Sequence, residues 1–312
     1  MSNKTLDNTR ISKHLGQQSQ YKSTYDPTLL VAEPRINNRK HLDITDDNLP
    51  FVGFDTWNAY EVSALTNSGR PVSAVAKLAY SCESPSIVES KSIKLYFNSF
   101  NMQRCGDTQE EATQFVAETA VTDLSELLET PVSMSLVAAD QANDTSTASE
   151  FGKEYVNLER SLYEETGPVE FSVYQETPDL LINNPIQAER DTSYKYHSAL
   201  LKSNCRVTSQ PDWGDVYIHM RSDNGKFTSM PSQTDLLKYI VSFRDECHFH
   251  EEICETIYVR LKDMFRPKDL AVTCLYARRG GIDINPSRAS DESLLPGQLK
   301  DVFVLHHKTA KQ

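Results

Sequence analysis

The stretch YFNSF at residues 96–100 returns as YIVSF at residues 239–243, and this echo decides how the chain is read. At an offset of 143, Tyr96 falls on Tyr239, Ser99 on Ser242 and Phe100 on Phe243. The same offset sets Thr113 on Thr256, Phe115 on Tyr258 and Val116 on Val259. Upstream, an offset of 135 sets Ser63-Ala64-Leu65 on Ser198-Ala199-Leu200 and Ser68 on Ser203, with Asp55-Thr56 one residue out of step with Asp191-Thr192. Each identity is weak alone. Their constant order predicts an internal duplication.

Each half carries a helix, a proline and a strand in the same order. Thr108 with Glu111 forms a capping-box pattern, followed by Ala112, Phe115, Val116, Ala120, Leu124, Leu127 and Leu128 on one apolar helical face. Pro131 bounds that helix, and Val132 to Val137 reads as a strand. In the second half Ile253, Ile257, Leu261, Met264 and Phe265 repeat the spacing, Pro267 closes the helix, and Leu270 to Ala277 reads as a strand. The division expected is an arm over 1–45, a first folded unit over 46–137, a linker over 138–167 and a second unit over 168–312. The arm, with Tyr21, Tyr25, Pro27, Leu29, Leu30 and Pro34 as scattered anchors, reads as an extended segment crossing a surface. Residues 138–149 have the Asp, Asn, Thr and Ser content of a linker.

Composition bounds the function. The 312 residues hold 32 basic and 44 acidic side chains, a formal charge of −12, which argues against a protein that grips a nucleic-acid backbone. No apolar run approaches the roughly 18 residues of a membrane span, and the first 16 residues lack a signal peptide's apolar stretch. A soluble, cytoplasmic protein is expected, with its six cysteines as free thiols.

Four short segments bear groups suited to chemistry. Cys205 precedes a Gln-Pro-Asp-Trp-Gly turn and a strand expected from about Val216; Arg206 beside it would favour a thiolate, and Asp212 could protonate an atom that gains charge. An ordinary small hydrophobe at a strand edge is the plain alternative for Cys205. His250 and Glu251 open the second helix, where a glutamate can accept the N–H groups of a planar heterocycle or simply stabilise the helix start. Cys247, His250 and Cys254 also admit a zinc reading, although the segment is not HExxH. Arg278-Arg279-Gly280-Gly281 suits an anionic group, or a solvated turn. Glu89-Ser90-Lys91-Ser92 combines an acceptor, hydroxyls and a cation before an expected strand. No GxGxxG or Walker loop occurs. Where one half has Cys205 the other has Arg70, and where one has His250-Glu251 the other has Asp107-Thr108. Each half holds polar groups the other lacks, as one composite site would require.

ESKSIKLYFNSFN at 89–101, CRVTSQPDWG at 205–214, SFRDECHFHEE at 242–252 and ARRGGIDINP at 277–286 together resemble the NADPH-dependent 7-cyano-7-deazaguanine reductases of queuosine biosynthesis, in their long form. The resemblance implies an α+β chain of two tandem tunnelling-fold modules, each a twisted antiparallel sheet backed by two helices, as in GTP cyclohydrolase I. It implies Cys205 as the nucleophile on the nitrile carbon and Asp212 as the acid that protonates the nitrogen. Val88, Glu89, Ser90, His250 and Glu251 would hold the substrate, and Ser90, Lys91, Arg279 and Gly280 would contact NADPH, used twice per turnover. It implies no metal, no nucleic-acid or membrane partner, and a homodimer. The alternative is a zinc-dependent cyclohydrolase-like enzyme on the same fold. The segment from Arg221 to Ser232 is longer than the family pattern, which bears on loop shape.

Overall fold

The structure, a computed structural model, describes residues 22–45, 47–138, 151–166, 169–206, 208–223, 229–305 and 309–312. The N-terminal segment forms β1 (Ala32–Pro34) and α1 (Arg35–Arg39). The first half supplies a long hairpin of β2 (Val52–Leu65) and β3 (Pro71–Ser81), then β4 (Ser86–Val88), α2 (Ser90–Ser99), α3 (Gln109–Leu128) and β5 (Val132–Ala138). Next come β6 (Val156–Asn157), α4 (Leu158–Thr166) and β7 (Ile186–Gln187). The second half supplies β8 (Ser193–Ser198), β9 (Lys202–Asn204), β10 (Pro211–Arg221), β11 (Ser229–Met230), α5 (Gln233–Ser242), α6 (His250–Phe265), β12 (Asp269–Tyr276) and β13 (Ile282–Ala289), with α7 (Gly297–Lys300) behind it.

One mixed α+β sheet spans both halves in the order β5-β3-β2-β13-β12-β10-β8-β6. All its pairings are antiparallel except the short β6–β8 contact. The seam is β13, paired with β2 from Ile282↔Ala59 to Ala289↔Val52 and with β12 on its other edge. Helices α2 and α3 bury Ile93, Phe97, Ala112, Val116 and Leu124 against Trp57, Ala76 and Leu78 of the first half. Helices α5 and α6 bury Leu236, Ile240, Ile253 and Ile257 against Val216, Ile218 and Val272 of the second.

The echo of YFNSF is also an echo of geometry. Ser99 Oγ donates to the Tyr96 carbonyl at 2.6 Å, and Ser242 Oγ donates to the Tyr239 carbonyl at 2.7 Å. Tyr96 meets Phe100, and Tyr239 meets Phe243, edge-on with ring centroids 5.3 Å apart in both pairs. Helices α2 and α5 have equal length, capped at Glu89 and Ser232. The same residues build the same turn twice.

Several expectations need correction. The Thr108–Glu111 capping box is present, but Phe115 is 42% exposed; the buried stripe is Ala112, Val116, Ala120, Leu124 and Leu128, spaced by four, and Phe115 falls outside it. Glu89-Ser90-Lys91-Ser92 opens helix α2 instead of a strand, because the Glu89 carboxylate accepts the amides of Lys91 and Ser92 and the apolar residues behind it have helical spacing. The strand after Cys205 begins at Pro211, five residues before the expected start. The expected linker over 138–167 is in part folded: α4 buries Leu158 and Leu162 in the second-half core, while residues 139–150 lie outside the described residues. Tyr21 and the residues before it lie outside as well.

The N-terminal segment does more than cross a surface. Arg35 and Arg39 are at most 2% exposed and enter the interior between the halves. Arg35 pairs with Asp55 of β2 at 2.5 Å, and Arg39 binds both Glu255 oxygens of α6 at 2.8 and 3.0 Å. Arg288 of β13 bridges the two carboxylates, reaching Asp55 and Glu255 at 2.8 Å each. Burial alone would raise both carboxyls and lower the arginines; mutual pairing reverses this, so Asp55 and Glu255 titrate below the usual carboxylate range and Arg35 and Arg288 above the usual guanidinium one. Removing one partner strands a buried charge. Arg288→Met should lower stability by about 3–5 kcal/mol, measured by urea unfolding; an unchanged midpoint would deny the network its role in joining the halves.

Candidate active site

A cavity of about 250 Å³ opens between the halves. The first half contributes Trp57 from β2, Ile87 and Val88 from β4, and Glu89, Ser90, Lys91 and Lys94 at the start of α2. The second contributes Cys205, Thr208 and Asp212 around the β9–β10 connection, His248 to Glu251 at the start of α6, Ala277, Arg279 and Gly280 after β12, and Ile282 and Ile284 of β13. All ten residues to which the resemblance gives a role (Val88, Glu89, Ser90, Lys91, Cys205, Asp212, His250, Glu251, Arg279 and Gly280) line this one space, whereas Arg206, Cys247, Cys254, Arg278 and Gly281 do not.

Local sequence places the thiol. Strands β9 and β10 pair Asn204 with Pro211 and Ser203 with Asp212, so Cys205 leaves the ladder one residue past its end. The turn is closed by Cys205 N–H donating to the Gln210 carbonyl at 2.8 Å and Ser209 N–H donating to the Cys205 carbonyl at 2.9 Å. Ser209 takes the left-handed conformation with φ +54°, which lets the chain reverse without a glycine. Cys205 is half-buried, and the Arg279 guanidinium lies close enough to interact with its thiol.

The Arg206 guanidinium is engaged by Asn38 at 2.5 Å and Glu252 at 3.3 Å. The cation at the thiol is Arg279, held on a tight turn in which Arg279 and Ile282 exchange backbone hydrogen bonds of 2.8 and 3.1 Å. Gly280 and Gly281 take φ +57° and +81° there, and a side chain at Gly281 would strike Glu61.

Asp212 is 3% exposed and pairs with Arg279, while His250 Nε2 lies 3.4 Å from its other oxygen. Burial would push the carboxyl up, but His250 and Arg279 hold it below the usual carboxylate range. The His250 ring stacks on Tyr276 with centroids 3.8 Å apart, which fixes its plane; its Nδ1 has no protein partner.

Glu251 has the opposite environment. It is 3% exposed, and its Oε1 has no hydrogen-bond partner. Burial, and after it the Asp55 charge, push its carboxyl up to about 7, with His250 and Arg35 pulling the other way. The indole N–H of Trp57, in the same cavity, also lacks a partner. Buried polar atoms without partners mark places where a ligand's own donors and acceptors complete the count. Across the cavity Glu89 spends both oxygens on the amides of Lys91 and Ser92, which keeps its carboxylate at the helix start.

The zinc reading loses its geometry. Cys254 is buried with its thiol 3.5 and 3.6 Å from the carbonyls of Val272 and Pro286, Cys247 is exposed, and His250 faces Asp212. Among the described residues no group of three His, Cys, Asp or Glu side chains is placed to hold a metal ion. Trp57, Lys94, His248 and Phe249 line the cavity without having been singled out. Lys94 had a signal: it lies three residues after Lys91, hence on the same helical face once the segment is read as a helix. Trp57 had none.

Comparison with known proteins agrees with the quoted motifs. A family model described as "Nitrile reductase, 7-cyano-7-deazaguanine-reductase N-term" matches residues 21–136, and one described as "QueF-like protein" matches residues 211–294. The chain is 38% identical over 285 residues to the NADPH-dependent 7-cyano-7-deazaguanine reductase of Legionella pneumophila (strain Paris), covering 91% of this chain and 92% of that one. It is 39% identical over 284 residues to the protein of the same name from Colwellia psychrerythraea, covering 90% and 93%. The corresponding Ralstonia nicotianae protein is 38% identical over 289 residues, covering 92% and 96%.

The raised Glu251 carboxyl is a stability statement. Between its ordinary 4.5 and about 7 the folded chain holds a proton at Glu251 that the unfolded chain has released, so stability falls as pH rises through that window. Glu251→Gln should be less stabilising or more destabilising at pH 4.5 than at pH 7.5, measured by urea unfolding at both. Equal effects at the two pH values would mean that Glu251 titrates normally.

Proposed function

The chain belongs to the family of NADPH-dependent 7-cyano-7-deazaguanine reductases, and on that premise we propose that it reduces the nitrile of 7-cyano-7-deazaguanine to the aminomethyl group of 7-aminomethyl-7-deazaguanine, a step towards queuosine in tRNA. The observation that carries this reading is the meeting of Cys205, Asp212 and a Glu251 carboxyl with one unpartnered oxygen in one cavity between the halves. The substrate is the free base, so an acidic chain suits the task.

The heterocycle's ring and amino N–H groups would donate to Glu251 Oε1, with His250 on the same wall and Val88, Glu89 and Ser90 opposite. Such donors replace the water Glu251 has lost and favour its ionised form. Cys205 Sγ then adds to the nitrile carbon: an S–C bond forms, one C≡N π bond breaks, and the thiol's proton ends on nitrogen, giving a thioimide. Asp212 rests as a carboxylate because His250 and Arg279 stabilise its charge against burial. The proton it delivers is therefore the one it first takes from the thiol; Asp212 acts as a relay, and becomes an acid only after the thiol has given up its proton.

The cavity mouth fits a phosphate-bearing cofactor. Lys91, Lys94 and Arg279 place three cations beside the turn at Gly280, and a side chain at Gly280 would crowd the Lys94 ammonium. NADPH, when bound, supplies hydride, and the four electrons between nitrile and amine require two per turnover. Ser90, Lys91, Arg279 and Gly280 would hold it. Trp57, Ile282 and Ile284 give the cavity apolar walls that keep water from the C=N carbon after the first reduction. A thiol, a carboxylate and a hydride source account for the whole change, so the reading needs no metal.

The fold supports the finer architecture by its repeated turns and the pairing of β13 with β2: two tandem tunnelling-fold modules, 46–137 and 168–312, with an arm over 1–45 and a linker over 138–167. Edge-to-edge assembly through the outer strands would make the working form a homodimer, free in the cytoplasm; among the described residues no helix is long and apolar enough to cross a membrane.

Mixing the protein with 7-cyano-7-deazaguanine alone should add the substrate's mass to Cys205 and produce a new absorbance. Cys205→Ala should abolish both. An adduct surviving that substitution, or none in the unaltered protein, would overturn the reading. Asp212→Asn should slow adduct formation by about 10²–10⁴-fold, read by stopped-flow absorbance; a normal rate would remove the relay.

A further inference from the structure

Glu252 follows Glu251 by one residue, so it leaves α6 about 100° further round and lies outside the cavity lining. Its side chain is 1% exposed and draws together groups from three separate segments. On Oε1 converge Arg206 at 3.3 Å, His248 at 2.9 Å and His41 at 3.6 Å. On Oε2 it accepts the Phe249 amide at 3.3 Å. Arg206 gives its second nitrogen to Asn38 at 2.5 Å and lies over the Phe249 ring at 5.6 Å. His41 stacks on His248 at 5.7 Å and meets Thr256 Oγ1 at 3.3 Å.

Capping the helix needs only Oε2. The contacts of Oε1 link a residue of the N-terminal segment (His41), a residue of the cavity wall (His248) and the residue next to Cys205 (Arg206). We propose that Glu252 and Arg206 form a latch through which the N-terminal segment fixes the turn carrying Cys205, making Glu252 a positioning residue for the thiol. Arg206 and Cys205 share a planar peptide unit, so anchoring the guanidinium at both Asn38 and Glu252 restricts where the neighbouring thiol sits. The anchor on the far side is firm, because Arg39, beside Asn38, is tied to Glu255 one turn further along α6. A displacement of about 1 Å in an attacking atom can cost on the order of 100-fold in rate. The latch therefore bears on attack and only weakly on affinity.

The proposal rests on the reading above for its nitrile arm; its second arm is independent of that reading. Arg206→Met, Glu252→Gln and Asn38→Ala proteins would be assayed for adduct formation with 7-cyano-7-deazaguanine. In parallel, alkylation by iodoacetamide would be followed at Cys205 and at the exposed Cys247 by mass spectrometry. Released from the latch, the thiol should react about 10- to 100-fold more slowly with the nitrile, yet alkylate at least roughly threefold faster relative to Cys247. The Asn38→Ala/Arg206→Met pair should be no slower than Arg206→Met alone, since both remove one link. A merely structural role predicts a lower melting temperature with adduct formation and the Cys205-to-Cys247 ratio both unchanged, and that result in Arg206→Met would overturn the latch. Arg206 is part-exposed, so its variant remains informative where Glu252→Gln fails to fold. If the unaltered protein forms no adduct, the proposed function fails, and the alkylation ratio alone still decides the latch.

Discussion

Three buried guanidinium groups and two buried carboxylates hold this chain in its shape. Arg35 and Arg39 come from α1, Asp55 from β2, Arg288 from β13 and Glu255 from α6. Ions so deeply buried gain little net free energy over apolar packing, because desolvation consumes most of the attraction. What the cluster does impose is a single arrangement, since any displacement leaves a charge without its partner. It therefore fixes α6 relative to the β2–β13 seam more tightly than apolar contacts, which tolerate sliding. Glu251 sits one helical turn before Glu255 and so on the same face, directly above the cluster. The reach of Asp55 and Arg35 into its titration is the electrostatic trace of that proximity.

The repeated turn was legible because its local chemistry recurs with the residues that make it: a serine closing the helix on a tyrosine carbonyl and a phenylalanine edge-on beside it. The residues of the cavity were legible as separate motifs, and the seam explains why they meet. β13 brings the first strand of one half against the last strand of the other, so the starts of α2 and α6 face one another across it. Spacing within a motif carries information about its own turn. It carries none about which distant turn lies opposite, and that is why Trp57 gave no sign and the partners of Arg206, Asn38 and Glu252, could not be read. Arg206 is adjacent to Cys205 in sequence, yet its guanidinium is also engaged by Asn38 and by the buried carboxylate of Glu252, neither of them near in sequence.

The same limit accounts for the N-terminal segment. A polar stretch containing two arginines reads as solvated, because lysine and arginine are almost never fully buried unless paired. The partners that reverse this, Asp55 and Glu255, lie 20 and 216 residues away from the arginines they bind. Helix α4 escaped for a related reason: its own amphipathic run is only nine residues, too short to stand alone, and it exists because Leu158 and Leu162 find the second-half core.

Asp212 and Glu251 show how one cavity separates two carboxylates of nearly equal burial. Both lose water, and both would rise if nothing answered. Asp212 is answered by Arg279 and His250, two groups able to carry positive charge, and stays ionised. Glu251 is answered only in part, and keeps an oxygen without a donor. On the proposed function, the difference suits the two acids to different tasks. A carboxylate already satisfied at rest can accept a proton and return it without the pocket reorganising, which a relay requires. A carboxylate left short of donors binds most strongly whatever brings them, and a planar base with adjacent N–H groups brings two at once. On that proposal, exchanging the two environments would leave the nitrile without a proton path and the heterocycle without its strongest acceptor, so the placement of Arg279 beside Asp212, away from Glu251, is what would let two acids in one small space do different chemistry.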